Sequence, residues 1–173
     1  MNIAIVGATG NVGRKTLEVL EKKGLTLGNL YLVASSKSAG KKIHFQGKDI
    51  VVSELENFDF SKVKIAFFAA GGKISEKFAE KAAKHCLVID NSSFFRMDPD
   101  VPLIVPQVNS DALNNIKKNI IANPNCSTAQ LVIALKPLHD LFIIKRIVVS
   151  TYQSVSGAGK ASMDELIKQT KLA

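Results

Sequence analysis

The chain of 173 residues has no tryptophan, only two tyrosines and only two cysteines. With so few aromatic rings, stacking platforms for single-stranded nucleic acid are not evident. Cys86 and Cys126 lie far apart without the spacing of a metal site, so we expect reduced thiols and no metal. No apolar run approaches the roughly 20 residues of a membrane span, and the N-terminus shows no secretory signal. These absences favour a cytoplasmic protein outside the membrane.

The formal net charge of +8 admits nucleic acid as a partner but does not favour it. The lysines occur singly or in pairs, such as Lys41-Lys42 and Lys117-Lys118, and never in a long basic tract. Such a surface attracts anionic small ligands equally well. We therefore expect a small-molecule substrate and no nucleic acid, with a basic nucleic-acid binder as a minor alternative.

Short apolar runs alternate with helix-like stretches along most of the chain, separated by turns such as those at Gly7, Ser35 and Gly71. This alternation predicts an α/β fold with a doubly wound, mostly parallel sheet. Because chemistry in such folds gathers at the carboxyl ends of strands, we expect these turns, with Asn91 and Cys126, to meet at one crevice. The predicted strands are residues 2–6, 30–34, 64–70, 87–90 and 120–122, with a weaker pair in 43–52, and the predicted helices are residues 14–23, 75–84 and 129–138.

A glycine motif, Gly7-Ala-Thr-Gly10-Asn-Val-Gly13, directly follows the first predicted strand. Its glycines permit a tight turn and let a pyrophosphate approach backbone N–H groups at the start of a helix. The motif predicts a dinucleotide site, with a plain strand–helix turn as the alternative.

The end of the second predicted strand lacks the acidic residue that usually binds the ribose of NAD. Ser35-Ser36-Lys37-Ser38 stands there instead. Hydroxyl groups and a cation suit the extra 2′-phosphate of NADP. We therefore predict NADP as the cofactor, with a solvated polar loop as the alternative.

Cys126 lies where a predicted strand turns into a helix, because Pro124 biases the residue before it away from the α region. Helix N-termini favour the thiolate form of cysteine, which is a nucleophile for carbonyl carbon. A buried structural cysteine is the alternative. A general base is not evident, since the three histidines are predicted to be structural or surface residues: His44, His85 and His139.

Two further polar residues, Arg96 and Gln153, carry weaker signals. Arg96 has a guanidinium group that could clamp a carboxylate or phosphate, although a surface arginine is the commoner outcome. Gln153 follows a long alternating run and is uninformative by itself.

That alternating run, residues 143–152, predicts a long strand and the start of a second sheet, and residues 161–172 predict a further helix. We accordingly divide the chain into residues 1–125, the cofactor-binding domain, and residues 126–173. The second part holds the nucleophile helix and the beginning of a second α+β domain.

Taken in order along the whole chain, these motifs resemble those of the bacterial aspartate-semialdehyde dehydrogenases. The sister family of N-acetyl-glutamyl-phosphate reductases usually has an Asn-Pro-Gly-Cys-Tyr-like turn, which this chain lacks. The motifs are Gly7-Ala-Thr-Gly-Asn-Val-Gly13, Ser36-Lys-Ser-Ala-Gly40, Asp90-Asn-Ser-Ser93 with Phe95-Arg-Met97, Asn123-Pro-Asn-Cys-Ser-Thr128, and Ser150-Thr-Tyr-Gln153 with Ser156-Gly-Ala-Gly159.

The resemblance implies a Rossmann-like fold and the NADP-dependent oxidation of aspartate 4-semialdehyde, with phosphate, to 4-aspartyl phosphate through a thioester on Cys126. This reaction serves lysine (diaminopimelate), threonine and methionine biosynthesis. The resemblance also implies that Asn125 stabilises the reacting centre, Arg96 binds phosphate and Gln153 contacts the substrate. The cofactor residues so implied are Gly7, Thr9, Gly10, Asn11, Val12, Gly13, Ser36, Lys37, Ser38, Ser156 and Gly157.

Members of that family are longer, with an acid–base histidine and a substrate-binding arginine beyond the last residue of this chain. We therefore expect an N-terminal portion with incomplete activity and an exposed apolar surface around residues 143–152. The resemblance implies homodimers or tetramers for full-length members. The alternatives are a non-catalytic nucleotide-binding module that docks a partner, and the related reductase.

Overall fold

The computed structural model describes residues 1–172 and shows seven strands and five α-helices within them. The strands are β1 Ile3–Val6, β2 Leu30–Ala34, β3 Lys42–Phe45, β4 Lys48–Glu54, β5 Ile65–Phe68, β6 Leu87–Asp90 and β7 Ile120–Ala122. The α-helices are α1 Asn11–Lys22, α2 Gly72–Ala83, α3 Pro106–Asn109, α4 Cys126–Phe142 and α5 Lys160–Leu172.

All seven strands form one sheet in the order β3-β4-β2-β1-β5-β6-β7. Every neighbouring pair is parallel except β3 and β4, which form an antiparallel hairpin around Gly47. β1 is central and pairs with β2 on one side and β5 on the other, so the winding of the chain reverses there. The predicted Rossmann-like α/β fold is confirmed, and the reversal opens a crevice at the carboxyl end of β1.

All four residues of β1 are buried, because apolar side chains cover both faces of the sheet at its centre. Ala4 and Val6 contribute to one apolar cluster and Ile5 to the other. The first cluster contains Phe78 of α2, and the second contains Leu17 of α1. A helix therefore packs on each face of the sheet.

Two helices begin three residues before their predicted starts, α1 at Asn11 and α2 at Gly72, whereas α4 begins at Cys126, where the strand–helix turn was predicted. Apolar spacing does not reveal these first turns, because their residues are mostly small or polar. α4 also continues past Pro137 to Phe142. Although α4 is apolar, no helix within residues 1–172 is long and apolar enough to cross a membrane.

Residues 143–152, predicted as a long strand, have no regular secondary structure, so that prediction is wrong. A strand needs a neighbour for its backbone hydrogen bonds, and no strand within residues 1–172 pairs with this segment. The predicted exposure of its apolar side chains is confirmed, and Tyr152 reaches 99%. The helix predicted after the segment is confirmed as α5.

Candidate active site

A cleft of about 990 Å³ lies over the carboxyl ends of the central strands. Its walls come from the loops after β1, β5 and β6, from Asn125 at the start of α4, and from the residues that lead into α5. Three of the five strand-end residues expected to meet there line it, Gly7, Gly71 and Asn91. The other two, Ser35 and Cys126, are not among its lining residues. Ten predicted site residues also line the cleft: Gly7, Thr9, Gly10, Asn11, Val12, Arg96, Asn125, Gln153, Ser156 and Gly157.

The glycine loop after β1 approaches its neighbours too closely for a larger residue. Gly7 has a φ of 85°, and a Cβ there would lie 2.7 Å from the Ala69 carbonyl oxygen. A Cβ on Gly13 would lie 2.2 Å from the Gly7 carbonyl oxygen, so α1 begins in direct contact with the loop. Gly10 caps α1 without a side-chain bond to its N–H groups. The residues therefore fit a dinucleotide, whose pyrophosphate needs close access to these N–H donors.

The 3-10 turn Ser36–Ser38 follows β2 and lies beside the glycine loop. Thr9 Oγ1 donates a hydrogen bond to Ser38 Oγ at 3.3 Å, which links the turn to a residue of the cleft wall. Ser36 and Lys37 are exposed and do not line the cleft itself. The turn thus flanks the cleft at the end of β2.

Cys126 is the first residue of α4, and Asn125 is its N-cap. Asn125 Oδ1 accepts hydrogen bonds from the Ser127 backbone N–H at 3.0 Å and from the Ser127 hydroxyl at 2.6 Å. The Cys126 side chain is exposed, and Gln153 Nε2 donates to its Sγ at 3.6 Å. These contacts contradict the alternative of a buried structural cysteine.

Cys86, in contrast, is 6% exposed and lies just before β6. Its thiol donates to the Ala82 carbonyl oxygen at 3.4 Å. Loss of solvation on burial raises the pKa of this thiol to about 11. Cys86 is therefore the structural cysteine of the chain, and it stays neutral at physiological pH.

Gln153 connects Cys126 to the part of the cleft wall that precedes α5. Asn125 Nδ2 donates to Gln153 Oε1 at 3.5 Å, while Gln153 Nε2 donates to Cys126. A Cβ on Gly157 would lie 2.6 Å from Gln153 Nε2. Gly157 does not have a positive φ, so a larger residue here would not strain the backbone but would displace the Gln153 amide from its present position.

Arg96 is half-buried in the cleft wall and is held by two backbone carbonyl groups. Its Nε donates to the Asn123 oxygen at 2.9 Å and its Nη2 to the Asn91 oxygen at 3.1 Å. A guanidinium group has more N–H donors than these two bonds use. The arrangement fixes the side chain and leaves donors for an anion.

The carboxylate of Asp90 fixes the loop after β6 from beneath the cleft. Asp90 is completely buried, and its Oδ1 accepts a hydrogen bond from the Ser75 hydroxyl of α2 at 2.6 Å. Its Oδ2 accepts one from the Ser92 hydroxyl at 2.7 Å. Asp90 thereby ties the loop to both β6 and α2.

Some residues of the cleft wall were not predicted as site residues. Gly72, Ser92 and Ser93 follow the ends of β5 and β6, and the last two belong to the motif Asp90-Asn-Ser-Ser93, so their positions were recognisable from the sequence. Lys160 and Ser162 lie in the first turn of α5 and carry no comparable signal.

A general base is not found among the described residues of the cleft. The three histidines are exposed, and none lines the cleft: His44, His85 and His139. Residues 1–172 also contain no group of three side chains that could hold a metal ion.

Two family models match the chain. One, described as "Semialdehyde dehydrogenase, NAD binding domain", matches residues 2–116. The other, described as "Semialdehyde dehydrogenase, dimerisation domain", matches residues 135–173. The first supports a nicotinamide cofactor.

Curated relatives and solved structures agree with these models. The chain is 53% identical over 172 residues to an aspartate-semialdehyde dehydrogenase of Rickettsia bellii, covering 98% of this chain and 51% of the relative. It is also similar to the crystal structure of aspartate semialdehyde dehydrogenase II complexed with ASA from Vibrio cholerae, with a TM-score of 0.92, 53% identity, and coverage of 98% and 51%. A third similar structure, aspartate semialdehyde dehydrogenase with NADP from Candida albicans, has a TM-score of 0.66, 29% identity, and coverage of 83% and 48%.

The chain spans about half the length of the curated relatives it matches. Within that span the fold, the glycine loop and the cysteine at a helix N-terminus all agree with the resemblance seen in the motifs. The chain belongs to the semialdehyde dehydrogenase family.

Proposed function

We propose that this chain carries the cofactor site and the nucleophile of an NADP-dependent aspartate-semialdehyde dehydrogenase. The observation that supports this most directly is Cys126 at the start of α4, exposed and contacted by Gln153 beside a cleft that fits a dinucleotide. The relatives named above carry that activity in their names. The reaction would convert aspartate 4-semialdehyde and phosphate to 4-aspartyl phosphate, in lysine, threonine and methionine biosynthesis.

In this proposal the Cys126 thiolate attacks the aldehyde carbon and forms a thiohemiacetal. When bound, the nicotinamide ring supplies the hydride acceptor. Cys126 then holds the acyl group as a thioester, and it leaves as thiolate when a phosphate oxygen attacks the acyl carbon. Biosynthesis runs these steps in reverse.

The residues around the thiol have complementary roles in the proposal. Asn125 and Gln153 contact each other and the thiol region, so they would orient the substrate carbonyl group. Arg96 would bind the phosphate with the donors that the backbone carbonyls leave unused. The pyrophosphate of the cofactor would lie against the first turn of α1, next to Asn11 and Val12.

We further propose that residues 1–125 form the cofactor domain and that residues 126–173 begin a dimerisation and substrate domain. The match of a dimerisation-domain model to residues 135–173 supports a homo-oligomer. The scattered charges and the reduced thiols support a cytoplasmic enzyme.

The activity is tested by phosphate-dependent reduction of NADP with aspartate semialdehyde. We expect Cys126→Ala to abolish any activity of the protein, whereas Cys86→Ala serves as the matched cysteine control and retains it. Measurable activity that is equal in wild type and Cys126→Ala would contradict the proposal, whereas inactivity of both with NADP still bound is the result expected for a portion without the acid–base residue. Activity with N-acetyl-glutamate semialdehyde instead would assign the chain to the related reductase reaction.

The cofactor preference is tested by the dissociation constants of NADP and NAD. Lys37 lies in the turn after β2 that contacts Thr9 through Ser38. We expect Lys37→Glu to weaken NADP binding by roughly tenfold or more while NAD binding changes little. Lys41→Glu, an equally exposed lysine shortly after this turn, is the matched control. If the ratio of the NADP and NAD dissociation constants is the same in Lys37→Glu as in wild type, the proposed preference for NADP is contradicted.

A further inference from the structure

We propose that Asn123 and Asn91 are positioning residues that fix Arg96 relative to the nucleophile Cys126. This inference rests on the proposed function, in which Arg96 binds phosphate and Cys126 holds the acyl group. The proposal concerns two side chains that do not contact the thiol in the structure.

The two asparagines join the loops that follow neighbouring strands. Asn123 follows β7 and Asn91 follows β6. Asn123 Nδ2 donates to Asn91 Oδ1 at 2.8 Å. The Asn123 backbone N–H donates to the backbone carbonyl oxygen of Asp90, also at 2.8 Å. Both asparagines are half-buried. The pairing of β6 with β7 and this backbone bond bring the two loops together, and the amide–amide bond fixes Asn91 and Asn123 relative to each other.

Arg96 depends on that spacing, because its guanidinium group bridges the same two residues. Nε donates to the Asn123 carbonyl oxygen and Nη2 to the Asn91 carbonyl oxygen, at 2.9 and 3.1 Å. If the loops separate, the planar group cannot keep both bonds. The amide–amide bond thus keeps the two backbone carbonyl groups at the distance that lets both accept from the guanidinium group.

The thiol depends on the same pair through a short and stiff stretch of chain. Only Pro124 and Asn125 lie between Asn123 and Cys126. Pro124 is buried and has a restricted φ, while Asn125 is fixed by its capping bonds to Ser127. A shift of Asn123 relative to β6 is therefore transmitted to Cys126.

The proposed reaction requires this coupling. A phosphate oxygen held by Arg96 must reach the acyl carbon on Cys126 Sγ, and small displacements between reacting groups slow such steps strongly. A positioning pair between the anion site and the nucleophile meets that requirement.

The test measures alkylation of Cys126 by iodoacetate and by iodoacetamide, two reagents of similar size that differ in charge. The ratio of the two rates reports whether the Arg96 cation is placed near the thiol, without any need for enzyme turnover. We expect the wild-type ratio to exceed that of glutathione and the Arg96→Gln ratio to fall to the glutathione value.

We expect Asn123→Ala to lower the ratio by a factor of about 3 to 10, as for the loss of one hydrogen bond. Asn91→Ala loses the same amide–amide bond and also the bond from Asn91 Nδ2 to the Phe68 carbonyl oxygen at 3.3 Å, so its ratio should fall at least as far. The double variant should have the ratio of Asn91→Ala, since Asn123→Ala removes only the bond that is already lost. In an assay of turnover, KM for phosphate should rise more than KM for the aldehyde.

Asn109→Ala is the matched control, because the Asn109 side chain also fixes a loop by two hydrogen bonds. Its Oδ1 accepts from the Val105 backbone N–H and its Nδ2 donates to the Leu103 carbonyl oxygen, both at 2.9 Å. It should leave the ratio unchanged at a comparable loss of thermal stability. If Asn123→Ala fails to fold, Asn91→Ala carries the test alone.

An unchanged ratio in the folded Asn123→Ala or Asn91→Ala variant, with a lowered ratio in Arg96→Gln, would overturn the inference and leave the proposed function intact. Equal ratios in wild type and Arg96→Gln would also overturn it, since Arg96 would not act on the thiol. The proposed function is judged separately by the NADP reduction assay.

Discussion

The two cysteines should differ sharply in reactivity, because one side chain is exposed at a helix N-terminus and the other is buried. At about pH 7.5 we expect iodoacetamide to label Cys126 and not Cys86, whose thiol has its pKa raised to about 11 by burial. The labelled site is identified by mass spectrometry of peptides. Cys86 should react only after unfolding, or as the pH approaches about 11.

Cys126→Ala should therefore remain unlabelled at neutral pH, and Cys86→Ala should be labelled at the wild-type rate. Labelling of Cys86 in the folded protein at neutral pH would contradict the burial that the structure shows for it.

Gly157 should matter through the Gln153 side chain. The methyl group of Gly157→Ala would lie 2.6 Å from Gln153 Nε2, which is too close for two non-bonded atoms. The Gln153 amide should therefore move away from Cys126. Because this amide donates to the sulfur, alkylation of Cys126 by iodoacetamide should slow by roughly threefold. The thermal midpoint should change little, since Gln153 is exposed and can rotate.

Gln153→Ala provides the comparison for this variant. It should slow alkylation by the same factor, and the double variant should show no additional effect. Additive effects of the two substitutions would show that Gly157 acts independently of Gln153.

At the scale of single residues, the sequence predicted the positions of residues whose type is tied to a turn or a helix start. Gly7, Gly10 and Cys126 stand at strand ends with recognisable neighbours. The roles of Asn91 and Asn123 could not be predicted, because their bond joins residues 32 positions apart. Only the pairing of β6 with β7 brings them together.

At the scale of elements, the contact between α1 and the glycine loop predicts that alanine in place of Gly13 destabilises the protein, although this exchange usually stabilises a helix. Alanine normally stabilises a helix by about 1 kcal/mol relative to glycine. Gly13→Ala should instead lower the free energy of unfolding by about 1–3 kcal/mol, because its Cβ would meet the Gly7 carbonyl oxygen. Denaturant unfolding measures this change.

NADP binding should weaken in the same variant, since the first turn of α1 is displaced from the loop. Lys15→Ala, an exposed position on α1, is the control and should leave both quantities nearly unchanged. A Gly13→Ala protein as stable as wild type would mean that the loop can move away at little cost.

The elements themselves were predicted well wherever apolar runs are buried in the sheet. β1, β2, β6 and β7 each match a predicted run closely. Residues 143–152 were wrongly predicted as a strand, because alternating apolar residues form a strand only when a neighbouring strand is present. The pairing partner of a segment is not encoded in its own spacing.

At the scale of the whole molecule, an apolar surface runs from the end of α4 into the segment that follows it. Its side chains are more than half exposed: Leu141, Phe142, Ile143, Ile147, Val148, Val149 and Tyr152. Several large apolar side chains exposed within one short segment favour the binding of apolar molecules, whereas isolated exposed side chains do not. We therefore expect the protein to enhance the fluorescence of anilinonaphthalene sulfonate.

Phe142→Glu combined with Val148→Glu should remove most of that fluorescence. Val19→Glu, at an exposed position on α1, should leave it unchanged. Equal signals from all three proteins would indicate that the dye binds elsewhere, such as in the cleft.

The placement of the two thiols has a consequence for oxidative damage. Cys86 precedes β6 and Cys126 follows β7, which is parallel to it. The two cysteines therefore lie at opposite ends of these neighbouring strands. A strand of this length separates its ends by roughly 10 Å, well beyond the reach of a disulfide. A sulfenic acid formed on Cys126 by peroxide therefore has no resolving cysteine in this chain. Its recovery depends on an external thiol such as glutathione, before further oxidation makes the loss permanent.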